Sequence, residues 1–96
     1  MKVVYLLLNK DTNYIKVGVT KDIDKRKRKL ELESGSTLTL IYVTDLLNRY
    51  LIIESSFKSH FRLYKQQGEW FNIDIDSAIH ILQFIIQNLE RNPLML

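Results

Sequence analysis

Glu54 shares a helical stripe with Tyr50, Phe57 and Phe61, at spacings of four, three and four residues, so its carboxylate is aimed along the side the aromatics would bury. An unpaired carboxylate is costly to bury, and one so placed has a cation, a donor cluster or a metal as partner, unless it sits at the stripe edge and reaches solvent. Arg26 stands near the stripe made by Ile23 and Leu30, while Lys25 and Arg28 point elsewhere. Its planar fork suits two contacts to one phosphate; the alternative is a peripheral arginine laying its stem over a sheet. Tyr5, in the middle of an apolar run, reads by itself as an ordinary core aromatic whose hydroxyl lies near an edge. His60 neighbours Phe57 and Phe61 and follows Glu54 by six residues, so it is a candidate for proton transfer at the same place. His80, between Ile79 and Ile81, reads as an ordinary surface position.

Charge adds a second signal. Lys16, Lys21, Lys25, Arg26, Lys27, Arg28 and Lys29 are seven of the 14 Lys/Arg, with Asp22 and Asp24 the acids among them, although the whole chain carries a formal charge of only +3. A local field of that sign suits a phosphate-bearing partner, and the plainer alternative is a solvated helix face. Cysteine is absent, which removes disulfides and thiolate metal sites and fits a reducing, intracellular compartment. No pair of histidines has metal-ligand spacing, no Ser/His/Asp arrangement suggests itself, and three glycines make no phosphate loop. The most apolar stretch, Ile79 to Leu89, is broken by Gln83, Gln87 and Asn88, short of the roughly 20 residues a membrane helix needs. A soluble protein is expected.

The elements that must position these groups follow from periodicity. Val3 to Leu8 is apolar at every position, too brief for a signal-peptide core, and reads as a strand covered on both faces. Asn9 to Asn13 supplies a turn, and Tyr14 to Val19 returns as a second strand with Tyr14, Lys16 and Gly18 on one face and Ile15, Val17 and Val19 on the other. Thr20 or Asp22 caps a helix running to about Glu33, with Gly35 as a left-handed stop. A third strand is expected over Leu38 to Thr44, a long helix over about Leu46 to Leu63, and a short extended piece over Trp70 to Ile73. Asp74 or Asp76 then caps a last helix whose Ile79, Leu82, Ile85, Ile86 and Leu89 make a lid for the core, with Pro93 past its end. At 96 residues the expectation is one α+β domain over 1–96: a small, mostly antiparallel three-stranded sheet flanked by three helices, with its core in 3–73 and a packing helix at about 76–90.

Taken in order, these positions resemble the GIY-YIG nuclease superfamily. Val3-Val4-Tyr5 matches the GIY element with its tyrosine kept, and Lys16-Val17-Gly18 matches YIG, with lysine where many members carry a second tyrosine. Val19-Thr20-Lys21-Asp22 is similar to the lead into the family's first helix. Arg26 falls where the family places its catalytic arginine and Glu54 where it places its metal-binding glutamate. Ile53-Glu54, His60-Phe61 and Gly68-Glu69-Trp70-Phe71 are similar to a phage and viral branch with a GEWF signature, which often carries lysine at the position of Lys16.

The resemblance implies an endonuclease that hydrolyses nucleic-acid phosphodiesters by in-line attack of water with one divalent cation, Mg²⁺ or Mn²⁺, held by Glu54. Arg26 would brace the charge of the transition state, Tyr5 would orient or deprotonate the water, and Lys16 would supply a cation beside the phenol or touch the phosphate. Tyr14, two residues before Lys16 on the same strand face, could partly stand in for the second tyrosine. Lys21, Lys25, Lys27, Arg28 and Lys29 would follow backbone phosphates without reading sequence. Trp70 and Phe71 read as core anchors ahead of stacking partners for bases. DNA is the expected partner with RNA left open, in the cytoplasm or nucleus of a host cell, and cutting both strands would need two visits, a homodimer or a separate specificity subunit. The rival reading is a non-catalytic nucleic-acid-binding or protein-interaction module that keeps the fold.

Overall fold

The computed structural model describes residues 1–91, so Pro93 lies outside the described residues. Three strands, β1 (Val3–Asn9), β2 (Tyr14–Thr20) and β3 (Leu38–Val43), form an antiparallel sheet in the order β2-β1-β3. Helix α1 (Ile23–Ser34) joins β2 to β3, α2 (Tyr50–His60) follows β3, and α3 (Ile75–Arg91) is the last element. The α+β architecture expected from the sequence is the one observed.

β1 is central and apolar because both of its faces are covered. Val4 and Leu6 join Ile15, Val17, Ile53, Phe57, Phe61, Phe71, Ala78 and Leu82 in one cluster under α2 and α3. Tyr5 and Leu7 join Leu30 and Leu38 in a second cluster under α1, with Ile23, Leu40 and Trp70 packed at its rim. The pairing of β1 with β3 shifts between Leu6 and Leu7, leaving Ile41 as an extra residue on β3. This irregularity lets Leu38 and Leu40 face α1 while Ile41 and Tyr42 pack against the other cluster.

Local chemistry sets the helix ends. The Asp22 carboxylate accepts the Lys25 amide at 3.1 Å, and Gly35 closes α1 in the left-handed region at φ 68°. Glu31 ties the end of α1 to the start of β3 by accepting the Leu38 amide at 2.9 Å. That bond, with Lys27 beside it, lowers the affinity of the Glu31 carboxylate for a proton. Asp74 caps α3 by accepting the Ser77 amide at 2.9 Å and the Ser77 hydroxyl at 2.8 Å. The stripe of Ile79, Leu82, Ile85, Ile86 and Leu89 lies on the core as expected.

The second helix differs from expectation at both ends. The predicted span of Leu46 to Leu63 contracts to Tyr50–His60. Leu47 is drawn into extended pairing with Lys2, donating to its carbonyl at 2.8 Å and accepting its amide at 3.1 Å, so the helix begins only after that bridge. At the other end Phe61 leaves helical geometry and a 3₁₀ turn, Arg62–Tyr64, takes over. The third strand stops at Val43, after which the Thr44 hydroxyl accepts the Val4 amide. The extended piece near Trp70 is reduced to Phe71, which exchanges both backbone hydrogen bonds with Ile15, at 2.9 and 2.8 Å.

Candidate functional site at the edge of the second strand

β2 is an edge strand with α2 against one face, and α1 lies on the opposite face of the sheet over β1 and β3, so groups from both helices can approach its rim. Gly18 and Tyr5 are direct partners across β1 and β2. A Cβ added at Gly18 would land on the Tyr5 hydroxyl and ring, so the strand can carry only glycine where the phenol lies across it. Tyr5 is 1% exposed. The phenol ring and its oxygen lie against Gly18 on the edge strand.

Lys16 lies two residues before Gly18 on the same face, half-buried, with its ammonium 5.8 Å from the centre of the Trp70 ring. It holds its proton less tightly than an ordinary lysine. Burial is the main cause; Lys58 and Arg26 push in the same direction, and Glu69 and Glu54 oppose them. Arg26 from α1 and Glu54 and Lys58 from α2 thus share one electrostatic neighbourhood with Lys16 on β2, joined by Glu69 of the 3₁₀ turn Gln67–Glu69. Tyr14 and Trp70 continue this face into a polar hollow of about 500 Å³, lined also by Asn9, Thr12, Gln66 and Gln67.

The helical wheel of α1 explains Arg26. Ile23 and Leu30 face the sheet; Arg26 follows Ile23 by three residues and Lys27 by four, which turns them to opposite flanks. Arg26 looks toward β2 and Lys16, whereas Lys27 looks toward β3 and pairs with Glu31 at 3.3 Å. Lys29 and Lys25 project on the Arg26 side, and Arg28 lines a hollow on the other with Glu31, Gly35 and Thr37. Lys21 is exposed just before the Asp22 cap.

On α2, Ile53 and Phe57 are buried, and Glu54 flanks them with its side chain 20% exposed. Its carboxylate stands 3.8 Å from the Lys58 ammonium, a looser pairing than a hydrogen bond. Lys58 also lies 3.5 Å from Glu69. Among the described residues no group of three or more His, Cys, Asp or Glu could hold a metal. A lone half-buried carboxylate suits only a hard cation that keeps most of its water and takes one or two protein oxygens; that is the habit of Mg²⁺, and the donor set fits it.

His60 is placed elsewhere. It is exposed at the end of α2, edge-on to Phe61 at 4.7 Å, and lines a hollow with Tyr64, Asn72, Asp74 and Ser77, none of which belongs to the Lys16 neighbourhood. His80 is exposed, as expected. Phe71 is a core residue, edge-on to Phe57, and Trp70 is the half-buried floor beneath Lys16. Lys58 is not singled out from the sequence, and Glu69 figures there only as part of the Gly68-Glu69-Trp70-Phe71 run, not as a site residue. Lys58 follows Glu54 by four residues, a spacing that makes neighbours on a helix and so points to it; the approach of Glu69 depends on the fold of the loop.

An antiparallel sheet with α1 on one face and α2 and α3 on the other, and a cationic strand edge near Glu54 and Glu69, defines a small α+β domain. The family model of the T5orf172 domain matches residues 2–86, and the chain belongs to that family, a phage-associated, nuclease-like domain. Neither a curated protein nor a solved structure matches the chain. No helix among the described residues is long and apolar enough to cross a membrane.

Proposed function

We propose that the chain is a GIY-YIG-type endonuclease that hydrolyses nucleic-acid phosphodiesters, DNA before RNA, with Mg²⁺ or Mn²⁺. The observation that carries this reading is the shared field of Lys16, Arg26 and Glu54 at the strand edge where the Tyr5 phenol lies across Gly18. Membership of a nuclease-like domain family supports it.

In the reaction a water oxygen bonds to phosphorus, the opposite P–O bond breaks, and the departing oxygen takes up a proton from solvent. Arg26 braces the non-bridging oxygens with its fork, where negative charge grows. Tyr5 acts as the phenolate left once its own proton has passed to solvent; it orients the attacking water and receives that water's proton as the new bond forms, becoming neutral. A phenol is a weak acid whose anion is poorly stabilised by itself, and Lys16 supplies the adjacent positive charge. Glu54 would hold the divalent cation through carboxylate oxygen, and that cation supplies charge neutralisation to phosphate. Lys25, Lys29 and Lys21 lie outside this centre and would steady the flanking phosphates.

The test is cleavage of supercoiled plasmid and of single-stranded and branched DNA with Mg²⁺ or Mn²⁺, comparing wild type with Glu54→Ala and Arg26→Ala. Wild type is expected to nick or linearise, and both variants to lose this while still binding DNA. One observation favours the rival reading of a catalytically inactive binding module: Lys58 already partly satisfies Glu54 at 3.8 Å. Equal inertness of all three proteins, with DNA binding intact, would establish that module in place of the enzyme.

A further inference from the structure

Glu69 combines two features that seldom meet without a reason. Its backbone sits at φ 64°, directly after Gly68 at φ 69°, so two successive residues occupy the left-handed region and only the first is glycine. A side chain longer than Asn or Asp is disfavoured there by the crowding of its Cβ against the backbone, and glycine would relieve that strain. The side chain that keeps its place is an anion pointed at cations: Glu69 lies 3.5 Å from the Lys58 ammonium, and its charge is the strongest of those acting on Lys16. It is also half-exposed, with 52% of its side chain accessible, and lies on a short 3₁₀ turn, so it can leave without disturbing the core.

We propose that Glu69 is an internal stand-in for phosphate, a carboxylate that occupies the pocket of charge between Lys58 and Lys16 and is displaced when a nucleic-acid phosphate arrives there. The proposal rests on the reading of this face as a phosphate-binding site, and adds that the face is held closed by its own anion. Displacement sets a threshold: a lone phosphate of low charge competes poorly with the tethered carboxylate, whereas a polyanion with several phosphates on Arg26, Lys25 and Lys29 pulls Lys58 and Lys16 free. Glu69 also offsets the mutual repulsion of the two ammonium groups when no phosphate is bound, which explains why a strained position keeps its charge.

The test is a metal-free titration in EDTA of a fluorescent oligonucleotide, followed by anisotropy, with wild type, Glu69→Gln, Lys58→Met and the double variant. Loss of one competing, partly exposed charge is expected to tighten binding about 3- to 5-fold in Glu69→Gln, the range of exposed ion pairs. In the Lys58→Met background the same substitution is expected to gain much less, because the cation it masks has gone. Glu69→Gly, which relieves the backbone, is expected to bind as tightly as Glu69→Gln and to melt at a higher temperature. Equal gains in both backgrounds would reduce Glu69 to a distant surface charge and overturn the proposal, as would no gain at all. If wild type binds and Glu69→Gln binds identically, only the stand-in fails; if no protein binds, the phosphate-site reading fails with it.

Discussion

The phenol ring of Tyr5 fills the space above Gly18 that a side chain on the facing strand would need. Each residue of the pair is thereby fixed by the other: the strand must carry glycine for the ring and its hydroxyl to lie across it. Gly18→Ala should destabilise the fold by about 1–3 kcal/mol, the usual penalty for overpacking, as measured by urea unfolding. Tyr5→Leu should suppress most of that penalty in a double variant, whereas Tyr5→Phe should not, since the ring carbon as well as the hydroxyl stands in the way. Additive effects of Gly18→Ala and Tyr5→Leu would contradict this packing.

Lys16 trades stability for charge. Its ammonium is disfavoured by burial, so the folded chain binds that proton less tightly than the unfolded chain. Stability therefore carries a penalty at neutral pH that is relieved as pH climbs from the lowered value of Lys16 toward the ordinary lysine value of 10.5. Lys16→Met is expected to melt at a higher temperature than wild type near pH 7, with the gap narrowing as pH approaches that of a free lysine, while oligonucleotide binding weakens. A lower melting temperature for Lys16→Met at neutral pH would show that its partners outweigh its burial.

The two flanks of α1 should behave differently toward nucleic acid. Lys25 and Lys29 share the side of Arg26, whereas Lys27 is paired with Glu31 and Arg28 lines a separate hollow with Glu31, Gly35 and Thr37. Replacing Lys25 and Lys29 with Gln should lower affinity and reduce the slope of log affinity against log salt by about 1 to 2, close to one unit for each phosphate that is no longer neutralised. The Lys27→Gln, Arg28→Gln double variant should leave that slope near wild type. Equal effects on both flanks would mean that the helix acts as an undirected cationic rod.

His60 faces a separate hollow from Lys16 and Glu54. His60→Ala is expected to cleave DNA within about 2-fold of wild type, against the hundredfold or greater loss that removal of a general base brings. A loss of that larger size would return His60 to the centre.

Much of this arrangement can be read from the chain, for reasons that are local. The hairpin, the Asp22 cap, the Gly35 stop and the apolar stripe of α3 each follow from a few neighbouring residues, and the structure has all four. The start of α2 is not legible in this way, because Leu47 is taken from the helix by Lys2, a partner far away in the chain whose pull no local propensity records. The same holds for Glu69: its motif is visible, but its aim at Lys58 depends on the left-handed turn at Gly68 and on Phe71 being pinned to Ile15. Arg26 and Lys27, adjacent in sequence, look alike by charge alone. Their separation to opposite flanks follows from the helical period and decides which one meets Lys16.

The proposed chemistry depends on Tyr5, Arg26 and Glu54 acting on one phosphate. Single-turnover cleavage of a short labelled DNA by Tyr5→Phe, Arg26→Lys, Glu54→Gln and the triple variant measures this directly. Each single substitution is expected to slow cleavage about a hundredfold or more, and the triple to be little slower than the worst single, because groups that work as a unit fail as a unit. Wild-type rates in any two of the single variants, or losses that simply multiply in the triple, would contradict a common centre.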